Sequence, residues 1–168
     1  MPAGLLEYIK RLASEGGPAS GLDCPVLVWD GMGERSDDEV ALTSPGTSAL
    51  RPRPGEPLVL EVRKGTHKAN AFALGITVGR VETNDLPLGD ASVSRFHAYF
   101  QKSSKSALWR LTDADSKNGT WVNAVRLAGS APADVIDQSR LRFGDVEVQF
   151  FEPESFDAYL RGIVGPIP

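Results

Sequence analysis

The chain has 168 residues, 18 basic and 22 acidic, with 41% hydrophobic content, which suits one compact domain with extensions and a sizeable core. Residues 1–57 hold five basic and nine acidic residues, leaving 13 of each in 58–168; this lacks the basic stripe that nucleic acid requires and excludes DNA or RNA as the main partner. No apolar run reaches the length of a membrane span, the start lacks a signal-peptide pattern, and the single cysteine, Cys24, cannot pair internally, so a soluble cytoplasmic protein is expected.

In chain order, Leu5, Leu6, Ile9 and Leu12 recur at helical spacing and predict a short amphipathic helix over 3–14, ended by Gly16-Gly17-Pro18. Residues 25–29 read as a strand. From Asp30 to Pro57 the sequence is rich in Gly, Pro, Ser and acid, the composition of a linker or irregular arm. At Leu58 the character changes to short β-like runs separated by turn residues: 58–62, 71–74, 76–79, 97–101, 108–112, 120–122, 140–143 and 146–151. Such spacing predicts an all-β, two-sheet antiparallel sandwich rather than a doubly wound α/β fold. After Pro153, the residues Phe156, Tyr159, Leu160 and Ile163 line one face of a short C-terminal helix. The expected division is therefore an N-terminal extension over 1–57, a domain over 58–151, and a helix and tail over 152–168. Both terminal helices are expected to cap the sandwich or each other.

Three clusters fall between strands: Val78-Gly79-Arg80 with Asn84-Asp85-Leu86, then Val93-Ser94-Arg95-Phe96-His97-Ala98, then the stretch from Asp113 through Lys117-Asn118-Gly119-Thr120 to Asn123. A fourth, weaker element is Phe143-Gly144-Asp145. Loops at one end of a sandwich converge, so these side chains can meet. Arg80 supplies a planar fork of donors suited to a phosphate or carboxylate. Ser94 adds a hydroxyl, Lys117 an ammonium, and Asn118 an amide that donates and accepts. Asn118-Gly119 is a turn dipeptide, expected to place backbone at positive φ and present its amide rigidly to an extended chain. Composition alone does not establish such a site.

The ordered set Gly79-Arg80, Ser94-Arg95-Phe96-His97, Asn118-Gly119-Thr120 with Asn123, and Gly144-Asp145 resembles the signature of the forkhead-associated (FHA) family. The resemblance spans about residues 58–151 and is strongest over 78–123. It implies a β-sandwich whose loops at one end bind phosphothreonine. It implies further that Arg80 pairs with the phosphate, Ser94 donates to it, Arg95 adds a side-chain or backbone contact, and Asn118 holds the peptide backbone. Lys117 stands where many members carry Ser or Thr; its charge strengthens phosphate binding or its length removes a hydroxyl that helps select threonine. Gly79, His97, Gly119, Thr120 and Asn123 are expected to brace the loops, and Asp145 to organise the final turn. Trp109 and Trp121 are expected in the core or on a sheet face.

Enzymatic readings fail on the residues. Ser94 and His97 lack a Gly-x-Ser-x-Gly elbow and a third orienting partner. Asp113-x-Asp115-x-x-Asn118-Gly119 places its glycine one position late for a calcium loop, and Ala124 stands where a bidentate Glu is required. One Cys and two His are too few for a structural zinc site. The expectation is a non-enzymatic, cofactor-free adaptor that docks on a phosphothreonine-containing protein, a Ser/Thr kinase or its substrate. Thr43 and Thr47, behind the acidic run Asp37-Asp38-Glu39, are expected to offer an internal ligand if phosphorylated. The alternative is a phosphorylation-independent scaffold.

Overall fold

The computed structural model describes residues 3–15, 22–31, 51–53, 55–65, 72–73 and 75–165. Its strands are β1 (Ala3–Gly4), β2 (Val26–Trp29), β3 (Leu58–Glu61), β4 (Ile76–Gly79), β5 (Leu86–Pro87) and β6 (Ala98–Lys102). They continue with β7 (Trp109–Asp113), β8 (Thr120–Val122), β9 (Val125–Arg126), β10 (Ala133–Val135), β11 (Arg140–Phe143) and β12 (Val146–Phe151). Helices α1 (Leu5–Glu15) and α2 (Pro153–Val164) lie near the two ends. The strands form a seven-stranded sheet, β1-β3-β2-β12-β11-β8-β9, and a five-stranded sheet, β10-β7-β6-β4-β5. All pairings are antiparallel except β4 with β5. The architecture is the all-β, two-sheet sandwich read from the strand spacing.

Period-2 alternation places the core. In β11, Leu141 and Phe143 are buried while Arg140 is exposed, and in β6, Ala98 and Phe100 are buried on either side of a half-buried Tyr99. Leu27, Leu60, Val78, Phe100, Leu111, Leu141, Phe143 and Phe150 interdigitate between the sheets. Phe100 and Phe150, one from each sheet, stack with centroids 6.3 Å apart. Trp109 joins this core.

A second core lies on the outer face of the larger sheet. Leu5 and Tyr8 of α1 pack with Phe156 and Leu160 of α2 over Val26, Val28, Val59 and Phe151. Tyr8 meets Phe156 edge to face at 5.5 Å and donates its hydroxyl to Glu61 Oε1 at 2.9 Å. The helices thus cap the sandwich and each other. Two positions differ from the helical reading. Leu6 is 56% exposed while Tyr8 is buried, and Ile163 is 49% exposed. The inward arc of α1 is centred on Leu5, Tyr8 and Ile9, because an aromatic ring with a polar tip serves the core once Glu61 accepts its hydroxyl.

The sequence divides at Leu58, yet the sheet does not begin there. Val26–Trp29 lies between β3 and β12, pairing Val28 with Val59 and with Gln149, and all four of its residues are buried. Strands β1, β5, β9 and β10 have no counterpart among the runs read from the sequence; they are two or three residues long, too short to show alternation. Of the run expected over 71–74, residues 71 and 74 lie outside the described residues and Phe72 and Ala73 are not in a strand. Gly16-Gly17-Pro18, the run Asp37-Asp38-Glu39, Thr43 and Thr47 also lie outside the described residues. Removing β2 would leave two strand edges and the lower core of both layers without a partner. A chain starting at Leu58 is therefore expected to lack a cooperative unfolding transition in urea. A cooperative transition with the stability of the full chain would contradict this placement of β2.

Candidate functional site

The site is assembled from loops that need unusual backbone or close approaches. Gly79 ends β4. A Cβ there would lie 2.1 Å from the Arg95 carbonyl oxygen and 2.6 Å from Asn84 Nδ2, so only glycine lets the Ser94–His97 loop press against β4. Asn84 Nδ2 donates to the carbonyls of Val81 at 2.9 Å and Arg95 at 2.7 Å. Asp85 is fully shielded and accepts from Lys64 Nζ at 2.9 Å, Thr77 N at 2.8 Å and Gly65 N at 2.7 Å. Burial pushes its carboxyl up, but those donors outweigh it and hold the group below the usual 3.8. Asn84 and Asp85 thus work as braces beneath the loop.

His97 is completely buried. Its Nδ1 accepts from the Ser94 N–H at 3.0 Å, which assigns the ring proton to Nε2, and Nε2 donates to the Gly119 carbonyl at 2.9 Å. Gly119 O also accepts from Gly144 N at 3.0 Å. One imidazole therefore locks the 94–97 loop to the 117–119 loop. Asp113 braces the latter from within: Ser116 Oγ donates to it at 2.6 Å, Ser116 N at 3.0 Å, and Thr120 Oγ1 at 2.5 Å. Burial raises its carboxyl, and the Ser116 and Thr120 donors more than reverse that, leaving it below 3.8. Gly119 adopts φ +95°, whereas Asn118 does not share the positive φ expected of the dipeptide. The turn with two left-handed residues is instead Asn123-Ala124, at φ 48° and 66°, between β8 and β9. Asn123 accepts from Arg140 N through Oδ1 at 2.9 Å.

The predicted binding residues fall on three adjoining loops. Arg80 N donates to Ser94 O at 2.9 Å, and Lys117 N donates to Ser94 Oγ at 3.0 Å, so Ser94 stands between Arg80 and Lys117. With its oxygen accepting from Lys117 N, the Ser94 hydroxyl proton points to no described residue and is available to a ligand. The Arg80 guanidinium makes one hydrogen bond, to Ala91 O at 3.3 Å. No ion pair joins Arg80, Arg95 or Lys117 to a carboxylate among the described residues. Among the described residues, then, no carboxylate occupies Arg80. Asn118 Nδ2 donates to Ser92 O at 2.7 Å, so one half of its amide braces the loop, while the residue as a whole is exposed. Three cationic residues, a hydroxyl and an amide carried on adjoining loops are chemically suited to an oxyanion on an extended chain.

Sequence reading passed over the 89–92 turn. Asp90 Oδ1 accepts from Ser92 N at 2.9 Å and Ser92 Oγ at 2.8 Å, while Ser92 Oγ accepts from Asp145 N at 2.9 Å. Asp145 thus ties the turn through its backbone, and its side chain is exposed. Arg51, from the segment read as an irregular arm, reaches Asp90 Oδ2 at 3.2 Å and the Gly89 carbonyl. The Asx-turn pattern Asp90-x-Ser92 is a signal that could have been read; the partnership with Arg51 has none, because 38 residues separate it from Gly89.

Burial depresses the basicity of the His97 imidazole below the usual 6.5, against the opposing pull of the Gly119 carbonyl and Asp113. Below that pH the unfolded chain takes up a proton that the folded ring refuses, so the stability held in full above about 6.5 falls as pH drops. Asp85 and Asp113, with lowered folded values, lose their contribution only below 3.8. Between pH 7.5 and 5.5 the unfolding free energy should therefore fall, by up to about 1.4 kcal/mol per unit once the unfolded histidine titrates. In the same range the NMR signals of the His97 ring should remain those of the Nε2–H tautomer. Protonation of the folded ring at or above pH 6.5 would contradict this network.

Residues 76–144 match the family model of the FHA domain. No curated protein sequence matches the chain. Among solved structures, the chain is similar to Mycobacterium tuberculosis EmbR in complex with a low-affinity phosphopeptide, with 29% identity and a TM-score of 0.41 over 47% of this chain and 20% of that one; it spans about a fifth of that relative. It is also similar to the FHA domain of an Arabidopsis thaliana hypothetical protein, with 20% identity and a TM-score of 0.48 over 76% of this chain and 85% of that one. The N-terminal FHA domain of S. cerevisiae Rad53p in complex with a phosphothreonine peptide gives 13% identity and a TM-score of 0.48 over 81% and 98%. The family match covers Gly79, Arg80, Ser94, His97, Asn118, Gly119 and Gly144 in order, and over residues 76–144 the chain is similar to the FHA domain.

Proposed function

We propose that the chain is a phosphothreonine-dependent binding module, an adaptor without catalytic activity of its own, whose ligand is a phosphorylated segment of a Ser/Thr kinase or of its substrate. The observation that carries the reading is the placement of Ser94 between Arg80 and Lys117, with its oxygen held by the Lys117 N–H and no described residue accepting its proton. A phosphothreonine brings about −1.5 to −2 charges and three acceptor oxygens. Arg80 offers a bidentate fork, Ser94 an O–H, and Lys117 a mobile ammonium, while Arg95 lies exposed in the same loop. Asn118, its amide nitrogen spent on Ser92, offers a carbonyl oxygen to a peptide N–H. This is recognition of a phospho-motif by convergent donors.

His97 has no part in proton transfer under this reading. It is shielded from any ligand, and both ring nitrogens are engaged. Among the described residues no group of three or more His, Cys, Asp or Glu is placed to hold a metal ion, and no helix is long and apolar enough to cross a membrane. Thr43 or Thr47, if phosphorylated, would compete as an internal ligand. The described part of the arm resumes at Arg51 beside the Gly89-Asp90 turn, and a tethered ligand acts at high effective concentration. A cytoplasmic setting and a place downstream of a kinase belong to the same proposal.

In a fluorescence-anisotropy titration against a degenerate phosphothreonine peptide pool, Arg80→Ala should cost on the order of 2–4 kcal/mol, or roughly 30- to 1,000-fold in affinity. Unphosphorylated peptides should not bind. Equal binding by the variant and the parent would remove Arg80 from the site. Binding indifferent to phosphate would favour the scaffold alternative.

A further inference from the structure

The outer face of the seven-stranded sheet is divided into two halves. The helices cover Val26, Val28, Val59 and Phe151 on β2, β3 and β12. The other half, formed by β11, β8 and β9, carries a different surface. Pairing register sets Arg126, Trp121, Arg142 and Glu147 in one row across β9, β8, β11 and β12. Their neighbours Val122, Leu141, Phe143, Val146 and Val148 belong to the inter-sheet core, so alternation turns the row outward.

Two guanidinium groups are ordered on one ring. Arg142 lies over Trp121 with Cζ 3.6 Å from the ring centroid, and Arg126 approaches the same ring at 5.4 Å. Stacking engages the flat face of a guanidinium and leaves its N–H edge free for an oxyanion. Neither side chain donates a hydrogen bond or joins an ion pair with a described residue, and Glu147 lies in register with Arg142 without closing one. Two cations that have no carboxylate partner among the described residues and share one indole ring offer an anion subsite whose ordering cost is already partly met.

The row adjoins the loop described above. A Cβ on Gly119 would lie 2.7 Å from Arg126 Nε and 3.0 Å from the Trp121 ring. Arg126 therefore rests against the backbone of Gly119, the residue next to Asn118. A peptide held by Asn118 would lie within reach of this row. We propose that Arg126, Trp121 and Arg142 form a second anion subsite that receives an acidic residue of the same phosphothreonine-bearing segment. The inference rests on the functional reading above. Its occupant follows from charge complementarity and from continuity with the Asn118-Gly119 loop.

The test uses the full chain and has two readouts. In the first, phosphothreonine peptides carry Asp, phosphoserine or Ala in turn at each position flanking the phosphothreonine. An acidic group at one position should tighten binding about three- to tenfold over Ala, and that ratio should fall to one in Arg126→Gln and in Arg142→Gln. A larger gain from Asp assigns a carboxylate, and a larger gain from phosphoserine assigns a second phosphoryl group. In the second, an unphosphorylated tetraglutamate peptide is titrated while the Trp121 indole N–H is followed by NMR. Its shift should saturate in the parent chain and in Arg80→Ala, and vanish in both arginine variants. Loss of phosphopeptide binding with an intact Trp121 response would overturn the phosphothreonine reading and keep the subsite. An unchanged acidic preference in the variants, or a Trp121 signal indifferent to tetraglutamate, would overturn the subsite.

Discussion

The arrangement of the loops that carry Arg80, Ser94 and Asn118 depends on one buried, neutral imidazole. His97 accepts from the Ser94 N–H and donates to the Gly119 carbonyl, two groups 25 residues apart in the sequence. Only the Nε2–H tautomer satisfies both, and a proton on Nδ1 would face an N–H. The ring cannot rotate or charge without releasing one loop, and a stranded polar group at that depth would cost about 1–3 kcal/mol. Other contacts refine this lock. Gly79 admits the Arg95 carbonyl, Asn84 holds that carbonyl, and Asp113 shapes the 116–120 turn that carries Gly119.

Under the proposed function rigidity matters, because a phosphate on a peptide is strongly hydrated and its binding would have to replace water with donors already in place. Ser94 illustrates the economy: its backbone N–H serves His97, its carbonyl Arg80, its hydroxyl oxygen Lys117 N, and its hydroxyl proton remains. Lys117 contributes its backbone to the frame while its side chain stays exposed. Its main-chain role would survive the Ser or Thr found there in many members of the family, and the ammonium is an addition. Arg51 shows that residues outside the family match also shape the loop, since its bond to Asp90 props the turn that Asn118 and Asp145 grip.

Much of this was legible in the sequence. Short runs such as Arg140–Phe143 and Val146–Phe151 carry clear alternation, and the ordered Gly-Arg, Ser-Arg-Phe-His and Asn-Gly-Thr strings mark the loops that meet. What the sequence hid has physical causes. Val26–Trp29 is apolar on both faces because one lies in the inter-sheet core and the other under the helices; it reads as a strand, but nothing local shows that it pairs with β3 across the arm. Tyr8 replaces Leu6 on the buried arc because Glu61, 53 residues away, receives its hydroxyl. The Asn118-Gly119 dipeptide promised two left-handed residues, but the bond from Asn118 to Ser92 satisfies the amide with only Gly119 at positive φ. Arg126 and Arg142 look like ordinary exposed strand residues until register sets them on either side of Trp121.

The most direct test of the central claim is an NMR titration of the full chain with a phosphothreonine peptide and its dephosphorylated twin. The account predicts that the phosphorylated peptide alone shifts the amides of Arg80, Ser94, Lys117, Asn118 and Gly119, while the His97 ring keeps its tautomer. Shifts centred instead on the groove between the sheet and α2, where Val28, Asp30, Arg140 and Tyr159 meet, or equal shifts with the dephosphorylated twin, would contradict it.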